Sequence, residues 1–576
     1  MRPLQPKLLL HHASQGLLRE KANISSDGKI LRIKVNGGNL LLLIAVAVVI
    51  LGGVALRMNT LSDSQYPYIL DGLLEASYGG NIAETGILTP GAGTSFNNSK
   101  TASTPAFDIF IATASLFQGE SPLFLIQKLI APFAVLMLIG VYVLAKKLTT
   151  NVRASLIALI ATSAYGPFAI VTQASWKECI GISLLPFVLM SFIMRREPKM
   201  RAISTLLLLM IPFVHHLIAL MAILAIASFS SANLMIARKA GRVDSVARMD
   251  VLVSAMAIIS MTIYYIFMKF NRLEYLSPDN GLYLFLALAV LITIGLYLLA
   301  ERGVSKFGRK AMVATIVGGL ILLLSVNFVS PVGTIESDAL WAISLPMLAG
   351  IAIAVFGILG ISLWAATVGE SKLFYFSMIS APFIIITYAL LRADDLLSLD
   401  MITRTIDLFD IGLMIGVGTF VIFILKNKSF IRTTATLSIL CVALLLTVPF
   451  ALDSESYAGT RNDICAYEID AINWTAGMTP NNRIDTDEHF AYVDVIYNRE
   501  MGQNLVKQFK GVIDFQTDST MIASERWVTI GVKDLPYGWV KLNSSSFESK
   551  LSSFNVLYRG GPPGTQIVVL TTATGA

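Results

Sequence analysis

The sequence LLLLIAVAVVILGGVAL at residues 40–56 runs directly into RMNTLSDSQYPYILDGLLE at residues 57–75, so a long apolar segment is followed by an acidic one. The apolar segment is long enough to cross the roughly 30 Å hydrocarbon core of a bilayer as a helix. Similar segments recur along the 576 residues, which are 55% hydrophobic and 14% charged, with a mean hydropathy of +0.68. This composition excludes an ordinary soluble protein and predicts an α-helical polytopic membrane protein.

Apolar runs and their charged flanks predict about thirteen transmembrane helices within a membrane domain at 39–450. The least regular part is 202–236, where Pro212 and the His215-His216 pair interrupt one long apolar run. The predicted spans lie near 39–56, 122–145, 154–173, 179–194, 202–214, 217–236, 251–268, 281–299, 311–329, 339–366, 373–391, 411–425 and 433–450.

The distribution of basic residues predicts the orientation. Residues 1–38 are polar and basic, and we expect them to form a cytoplasmic N-terminal tail in front of a retained anchor. With that start, the predicted cytoplasmic segments hold 26 of the 44 Lys and Arg residues and the external loops hold 7. Because basic residues stay on the cytoplasmic side, this skew predicts a long first external loop at 57–121 and an external C-terminus. Basic clusters then serve as membrane anchors, and a nucleic-acid partner is not expected.

From about residue 451 the composition changes to that of a soluble domain. Turn signals alternate with strand-like runs, such as Trp527–Val532 and Gln566–Leu570. About 125 residues are enough for a compact fold. The sequence therefore predicts a small extracytoplasmic α/β or α+β domain at 451–576.

The first external loop carries three carboxylates of interest. Asp63 follows the first span closely, so it has to lie near the membrane surface, where it could act as a general base. The alternative is that Asp63 caps a helix that starts near Pro67. Asp71 and Glu75, four residues apart, share a helix face; they could assist Asp63 or bind substrate, or water could surround them. A second short apolar segment, Pro105–Phe117, is expected to lie in the membrane interface.

Further candidates lie at other predicted external positions. Lys177 and Glu178 fall in a short turn, where Lys177 could bind a lipid phosphate and Glu178 could be a second catalytic acid, or where Trp176 and Lys177 could simply anchor the turn in the membrane interface. His215 and His216 could bind phosphate or a hydroxyl group, or be structural. Arg404 could hold a phosphate with two hydrogen bonds, although a solvated loop from Arg392 to Asp410 is the simpler explanation of this charge.

Several classes of function lack support in the sequence. No P-loop, dinucleotide-binding glycine motif, H-E-x-x-H or G-x-S-x-G pattern occurs. Asp485-Thr-Asp487 is a weak metal pattern that more often marks a turn. The three cysteines provide no disulfide framework.

A cytoplasmic start, a long first external loop with Asp63 near its beginning, thirteen spans and an external C-terminal domain together resemble the GT-C class of membrane glycosyltransferases. The layout is similar to that of prokaryotic relatives of the oligosaccharyltransferase catalytic subunit and of the protein mannosyltransferases. The resemblance implies that Asp63 is the catalytic or metal-binding carboxylate, and that Glu178 is the further acidic group of the loop between the third and fourth spans. The chain lacks the W-W-D-Y-G motif of oligosaccharyltransferases, which favours a monosaccharide donor over transfer to asparagine.

The function implied by this resemblance is transfer of a sugar from a polyprenyl- or dolichyl-phosphate donor to a glycan or protein acceptor in the cell envelope. The sequence leaves open whether a Mg²⁺ or Mn²⁺ ion is required. Two alternatives from other classes remain: a transporter or flippase of lipid-linked saccharides, which would place charges such as Lys128 near mid-span, and a noncatalytic membrane scaffold.

Overall fold

A computed structural model describes most of the membrane region and much of the C-terminal region. The described residues are 37–62, 64–68, 70–88, 104–267, 281–302, 337–364, 369–391, 396–426, 429–452, 464–478, 484–487, 489–491, 501–502, 505–515, 519–534 and 538–571. Asp63 and the predicted span 311–329 lie outside them.

Helices account for nearly all of the described membrane region. They are α1 (Gly37–Met58), a 3-10 turn (Asn59–Ser62), α2 (Leu70–Thr85), α3 (Ala106–Gln118), α4 (Pro122–Leu125), α5 (Ile130–Thr149), α6 (Val152–Ala164), α7 (Gly166–Gln173), α8 (Lys177–Ile193), α9 (Pro198–Val214), α10 (His216–Lys239), α11 (Ser245–Phe267), α12 (Gly281–Arg302), α13 (Ser337–Trp364), α14 (Glu370–Leu391), α15 (Leu396–Lys426), α16 (Phe430–Thr447) and α17 (Pro449–Leu452).

Eight helices among the described residues are long and apolar enough to cross a membrane, and the bent pair α6 and α7 makes a ninth candidate. Helices α10 and α14 are mostly buried and form the interior of the bundle, whereas α12 is only 11% buried and presents side chains such as Tyr283 and Leu291 outward. An exposed apolar helix surface of this length is stable only against lipid. The chain is therefore a polytopic membrane protein, and the count of thirteen spans stays a prediction.

The predicted break near His215-His216 is present, because α9 ends at Val214 and α10 begins at His216. The predicted span 154–173 is instead divided into α6 and α7, which meet at an angle of 66°. A sharp bend of this kind leaves carbonyl groups at the end of the first helix without their usual partners.

Arg57 supplies partners at that bend. Its guanidinium is fully buried and donates to the carbonyl oxygens of Thr162 and Ser163 at the end of α6, both at 3.2 Å. It also donates to Thr172 Oγ1 of α7 at 2.7 Å and to the Gly53 carbonyl of its own helix at 2.9 Å. One side chain thus joins α1, α6 and α7 at the point where the first loop begins.

The predicted loop from Arg392 to Asp410 is wrong for its described part, because α15 already begins at Leu396. The helix packs so closely against α13 and α6 that a Cβ atom on Gly360 would overlap the carbonyl oxygen of Gly416, and one on Gly418 would overlap that of Ala154. Small residues of this kind allow helix backbones to approach each other in membranes. The helix begins 15 residues before the predicted span 411–425, and Asp410, the last residue of the predicted loop, is buried.

The C-terminal region contains a mixed sheet and short helices. A five-stranded sheet has the order β2-β1-β3-β7-β6, in which β2, β1 and β3 are parallel, whereas β7 and β6 are antiparallel to their neighbours. The elements are α18 (Ala466–Met478), β1 (Ile484–Asp485), β2 (Met501–Gly502), α19 (Leu505–Phe509), β3 (Thr520–Ser524), α20 (Arg526–Thr529), β4 (Val532–Asp534), β5 (Gly538–Val540), α21 (Ser544–Leu551), β6 (Asn555–Gly560) and β7 (Ile567–Thr571).

One of the two strand predictions in this region is confirmed and the other is wrong. Gln566–Leu570 matches β7, whereas Trp527–Val532 begins as the helix α20 and becomes a strand only at Val532. The Trp527 side chain is fully buried against Phe509 and Phe547, and its indole N–H donates to Asp487. These tertiary contacts override the alternating pattern of the sequence.

A buried ionic network lies at the start of α18. Glu468 is fully buried and accepts from Arg526, from the Cys465 backbone N–H at 2.9 Å and from His489 at 3.2 Å. Burial opposes ionisation of this carboxyl, but His489, Arg526 and the Cys465 N–H outweigh burial and lower the pKa of Glu468 to about 2. Glu468 is therefore an anion that links three parts of the C-terminal fold.

Arg57→Met should lower the free energy of unfolding by about 3 kcal/mol, because the carbonyl oxygens at the end of α6 lose their partners in a buried site. Thermal unfolding in detergent, followed by tryptophan fluorescence, measures the effect. Arg153→Met, at an exposed arginine of the same α6, is the matched control and should change little. Equal melting temperatures for the two variants would contradict this role of Arg57.

Glu468 should make stability fall at acidic pH. Because the folded pKa lies below the unfolded value of about 4.3, its contribution is complete above the unfolded pKa and declines as pH falls toward about 2. Glu468→Gln should flatten the decrease in melting temperature between about pH 5 and 3. The exposed Glu548→Gln should retain the wild-type slope, and an unchanged slope in Glu468→Gln would refute the assignment.

Candidate functional site

The turn between α7 and α8, residues 174–176, and the residues on either side of it are enclosed by protein rather than exposed at a rim. Gln173 and Ser175 are fully buried, and Lys177 and Glu178 are only 7% and 1% exposed. The Trp176 indole N–H donates to the Val171 carbonyl at 3.1 Å and closes the turn on α7. Two charged side chains are thus enclosed by protein, which requires compensating partners.

The Lys177 ammonium contacts two carboxyl groups from different helices. Its ammonium donates to Asp108 Oδ2 of α3 at 3.0 Å and lies 3.2 Å from Glu75 Oε2 of α2. Burial raises the pKa of Glu75 well above its usual range; Lys177 opposes this shift and Asp108 adds to it. Glu75 therefore holds its proton more readily than a solvated carboxyl does, which reduces the repulsion between the two acids.

The contacts of Glu75 exclude the interpretation that water surrounds the whole acidic face of α2. Glu75 is 8% exposed and contacts Lys177, so water does not surround this part of the face. Asp71, one turn earlier, is half-buried. The two acids that the sequence treats alike therefore lie in different environments.

Asp108 was not among the residues singled out from the sequence. The segment Pro105–Phe117 does form a short apolar helix, α3, and Asp108 is its one acidic residue and only 1% exposed. A single carboxylate on the buried face of an apolar helix was the available signal, since such a group needs a cation nearby.

On the other side of the turn, Glu178 faces α15. Its Oε2 lies 3.8 Å from Arg404 Nη1, and the Arg404 guanidinium carbon lies 5.1 Å from the centroid of the Trp176 ring. The Arg404 side chain is 22% exposed, whereas that of Glu178 is 1% exposed. The structure thus brings two of the predicted residues together, and Arg404 is the more accessible of them.

His215 and His216 lie at the start of α10, close to α8. The two rings stack with centroids 4.7 Å apart, and His215 Nδ1 accepts from the Ile218 backbone N–H at 3.4 Å, which caps the helix. His215 also packs against Gly181, one turn after Lys177. These contacts provide a structural role for His215, and binding of substrate by either histidine stays a prediction.

The first loop reaches the same end of the bundle. Tyr68 N–H donates to Gln127 Oε1 at 2.9 Å, and Ser64 Oγ donates to the Ile464 carbonyl at 2.6 Å. Leu73 of α2 is fully buried in one apolar cluster with Ile464, Ile472 and other residues of the C-terminal sheet region. The loop segment that contains Asp63 is therefore bounded by contacts to both the helical bundle and the C-terminal region.

The arrangement of the acidic side chains bears on whether the site could bind a metal ion. The described residues contain no group of three or more His, Cys, Asp or Glu side chains with metal-binding geometry. Glu75 and Asp108 do not form a site for a metal cation, because the Lys177 ammonium already lies between them.

The position of Lys128 bears on the transporter alternative. Lys128 is the clearest mid-span charge in the sequence, but it lies in the turn before α5, where its 51% exposed side chain pairs with Glu120.

No model of a known protein family matches the sequence, and no protein of curated function is significantly similar to it in sequence. Solved structures are similar in fold. The apo oligosaccharyltransferase of Archaeoglobus fulgidus matches with a TM-score of 0.55 at 14% identity, over 91% of this chain and 80% of that one. The same organism's oligosaccharyltransferase AglB, in complex with an inhibitory peptide and a dolichol-phosphate, matches with a TM-score of 0.51 at 12% identity, over 92% and 74%.

The chain has a GT-C fold. A third GT-C structure, the mycobacterial arabinofuranosyltransferase AftD, matches with a TM-score of 0.50 at 13% identity. The match covers 93% of this chain but only 40% of AftD, so this chain corresponds to a part of that enzyme. The expected fold is confirmed, and at these identities the similarity concerns the GT-C fold alone.

Lys177→Met should lower the free energy of unfolding by about 3–5 kcal/mol, because it leaves two carboxyls buried without their cation. The double variant Lys177→Met with Asp108→Asn should recover part of this loss, since it removes the unpaired charge. Thermal unfolding of both variants in detergent measures the coupling.

The exposed pair of Lys128 and Glu120 provides the control for this comparison. Lys128→Met should cost no more than about 1 kcal/mol, because water screens the pair. A double variant no more stable than Lys177→Met alone would show that the three side chains do not form the compensated group described above.

Proposed function

We propose that the protein is a membrane glycosyltransferase that transfers a sugar from a polyprenyl- or dolichyl-phosphate donor to a glycan or protein acceptor on the extracytoplasmic side. The observation that carries this proposal is the grouping of Lys177, Glu178 and Arg404 with acidic side chains of α2 and α3 at the end of a GT-C bundle. The complex of AglB with dolichol-phosphate and a peptide supports a lipid phosphate and a polymer acceptor as substrates.

The proposed topology has thirteen spans, a cytoplasmic N-terminus and an extracytoplasmic C-terminal domain. The excess of Lys and Arg in the predicted cytoplasmic segments supports this orientation. The contact of Ser64 with Ile464 supports placement of the first loop and the C-terminal domain on one side of the membrane. An acceptor bound by the C-terminal domain would then lie close to the first loop.

In the proposed reaction, Asp63 accepts the proton of an acceptor hydroxyl, whose oxygen forms a new bond to the anomeric carbon of the sugar. The bond between that carbon and the phosphate oxygen breaks, and the lipid phosphate leaves as an anion. Glu178 is the second acidic group of the site and orients Arg404. Asp71 and His216 remain candidates for contacts with the acceptor.

Arg404 suits the leaving phosphate better than Lys177 does. Lys177 is enclosed by two carboxyl groups that would repel a phosphate, whereas Arg404 has a side chain that is 22% exposed and offers planar paired donors. We therefore assign phosphate binding to Arg404 and a structural role to Lys177.

Asp63→Asn should lower kcat by about 100-fold or more, because the acceptor loses its base. The assay incubates purified protein in lipid vesicles with labelled polyprenyl-phosphate sugars and a membrane-envelope extract as acceptor, and it measures release of the lipid phosphate. Asp514→Asn, at an exposed carboxylate of the C-terminal domain, is the control. Full activity of Asp63→Asn would refute the assignment of the base.

Arg404→Met should raise the KM for the donor by about tenfold or more, because a charge-assisted contact with phosphate is lost. The exposed Arg559→Met should keep the wild-type KM. Movement of intact labelled donor across the vesicle membrane without release of lipid phosphate would favour a flippase instead.

A further inference from the structure

Gln127 lies in the turn between α4 and α5 and is fully buried. Its side-chain amide makes three hydrogen bonds. Oε1 accepts from the Tyr68 backbone N–H at 2.9 Å, and Nε2 donates to Thr60 Oγ1 at 3.1 Å and to the Gln173 carbonyl at 3.0 Å. One amide group thus connects three separate segments of the chain.

The three hydrogen-bond partners of Gln127 flank the two segments to which the proposed function assigns the chemistry: the one that contains Asp63 and the one that leads to Glu178. Thr60 precedes Asp63 by three positions and Tyr68 follows it by five, so both ends of this short segment contact the same side chain. Gln173 directly precedes the turn that leads to Lys177 and Glu178. Gln127 therefore links both flanks of the Asp63 segment to the residue that precedes that turn.

The chemistry of the position explains why an amide is required. Oε1 has to accept from a backbone N–H while Nε2 donates to two oxygen atoms, and only an amide offers both at this length. The Gln173 side-chain amide atoms have no hydrogen-bond partner among the described residues, so the polar contact of this residue with the turn before α5 is made by its backbone carbonyl, through Gln127.

We propose that Gln127 is a positioning residue for sugar transfer: its amide holds the two flanks of the first-loop segment at a set distance from the turn that leads to Glu178. This inference rests on the proposed function. Small displacements of reacting groups are costly in enzymes, and an error of about 1 Å can reduce the rate by about 100-fold.

Two variants separate the contacts. Gln127→Leu removes all three hydrogen bonds, whereas Gln127→Glu keeps an acceptor for the Tyr68 N–H but loses both donors. Ser183→Ala is the matched control, because Ser183 is equally buried and its hydroxyl contacts the Phe133 carbonyl at 2.9 Å, which joins α8 to α5 without a hydrogen bond to the segment 60–68.

Hydrogen exchange of the peptide that contains Tyr68 provides a readout independent of activity. In Gln127→Leu, exchange of this amide should accelerate by about tenfold or more, since its acceptor is gone. In Gln127→Glu and Ser183→Ala it should stay close to the wild-type rate. Unchanged exchange in Gln127→Leu would overturn the proposed contact.

Steady-state release of lipid phosphate provides the functional readout. Both Gln127 variants should lower kcat by about tenfold or more with the KM for the donor changed less than about twofold, whereas Ser183→Ala should keep the wild-type kcat. A wild-type kcat in Gln127→Leu, or an equal loss in Ser183→Ala, would overturn the inference. If the wild-type protein releases no lipid phosphate, the proposed function fails, while hydrogen exchange still tests the contact of Gln127 with Tyr68.

Discussion

The site depends on the buried ammonium of Lys177, which has to be compensated by carboxyl groups from elsewhere in the chain. An isolated ion in a low-dielectric interior costs several kcal/mol, so the folded state needs Asp108 and Glu75 beside it. Since these residues lie on α3 and α2, the pairing holds two helices too short to cross a bilayer against the end of α8. Such a group adds little net stability, and its main effect is to select one arrangement of the three helices.

A second constraint acts on the same helices from the C-terminal region. Leu73 contributes to an apolar cluster with Ile472 and Ile522, so part of α2 belongs to the core of the mixed sheet region. Leu73 is buried against the sheet region on one side of this helix turn, and Glu75 pairs with Lys177 on the opposite side. The C-terminal region is consequently an integral part of the site, since a displacement of the sheet would move the helix that carries Glu75.

The sequence predicts the described membrane helices well, because hydropathy acts locally along the chain. The break at His215 and the strand at β7 followed from such local signals. Long-range pairings did not follow from local signals. Lys177 and Asp108 are 69 positions apart, and no local pattern indicates that they are in contact. The same limit explains the errors at Trp527–Val532 and at Arg392–Asp410, where packing against distant residues decides between strand, loop and helix.

The arrangement of charge around the turn distinguishes two cations, Lys177 and Arg404, that the sequence alone presents as candidate ligands for phosphate. A lysine at a membrane rim is a natural ligand for a lipid phosphate. Enclosure by Asp108 and Glu75 neutralises that ammonium locally, and an approaching phosphate would meet the carboxyl groups as well. Arg404 lies 3.8 Å from a carboxylate oxygen of Glu178 and beside the Trp176 ring, and its side chain is 22% exposed. In the proposed reaction, the cation that maintains the fold and the cation that receives the phosphate are therefore different residues.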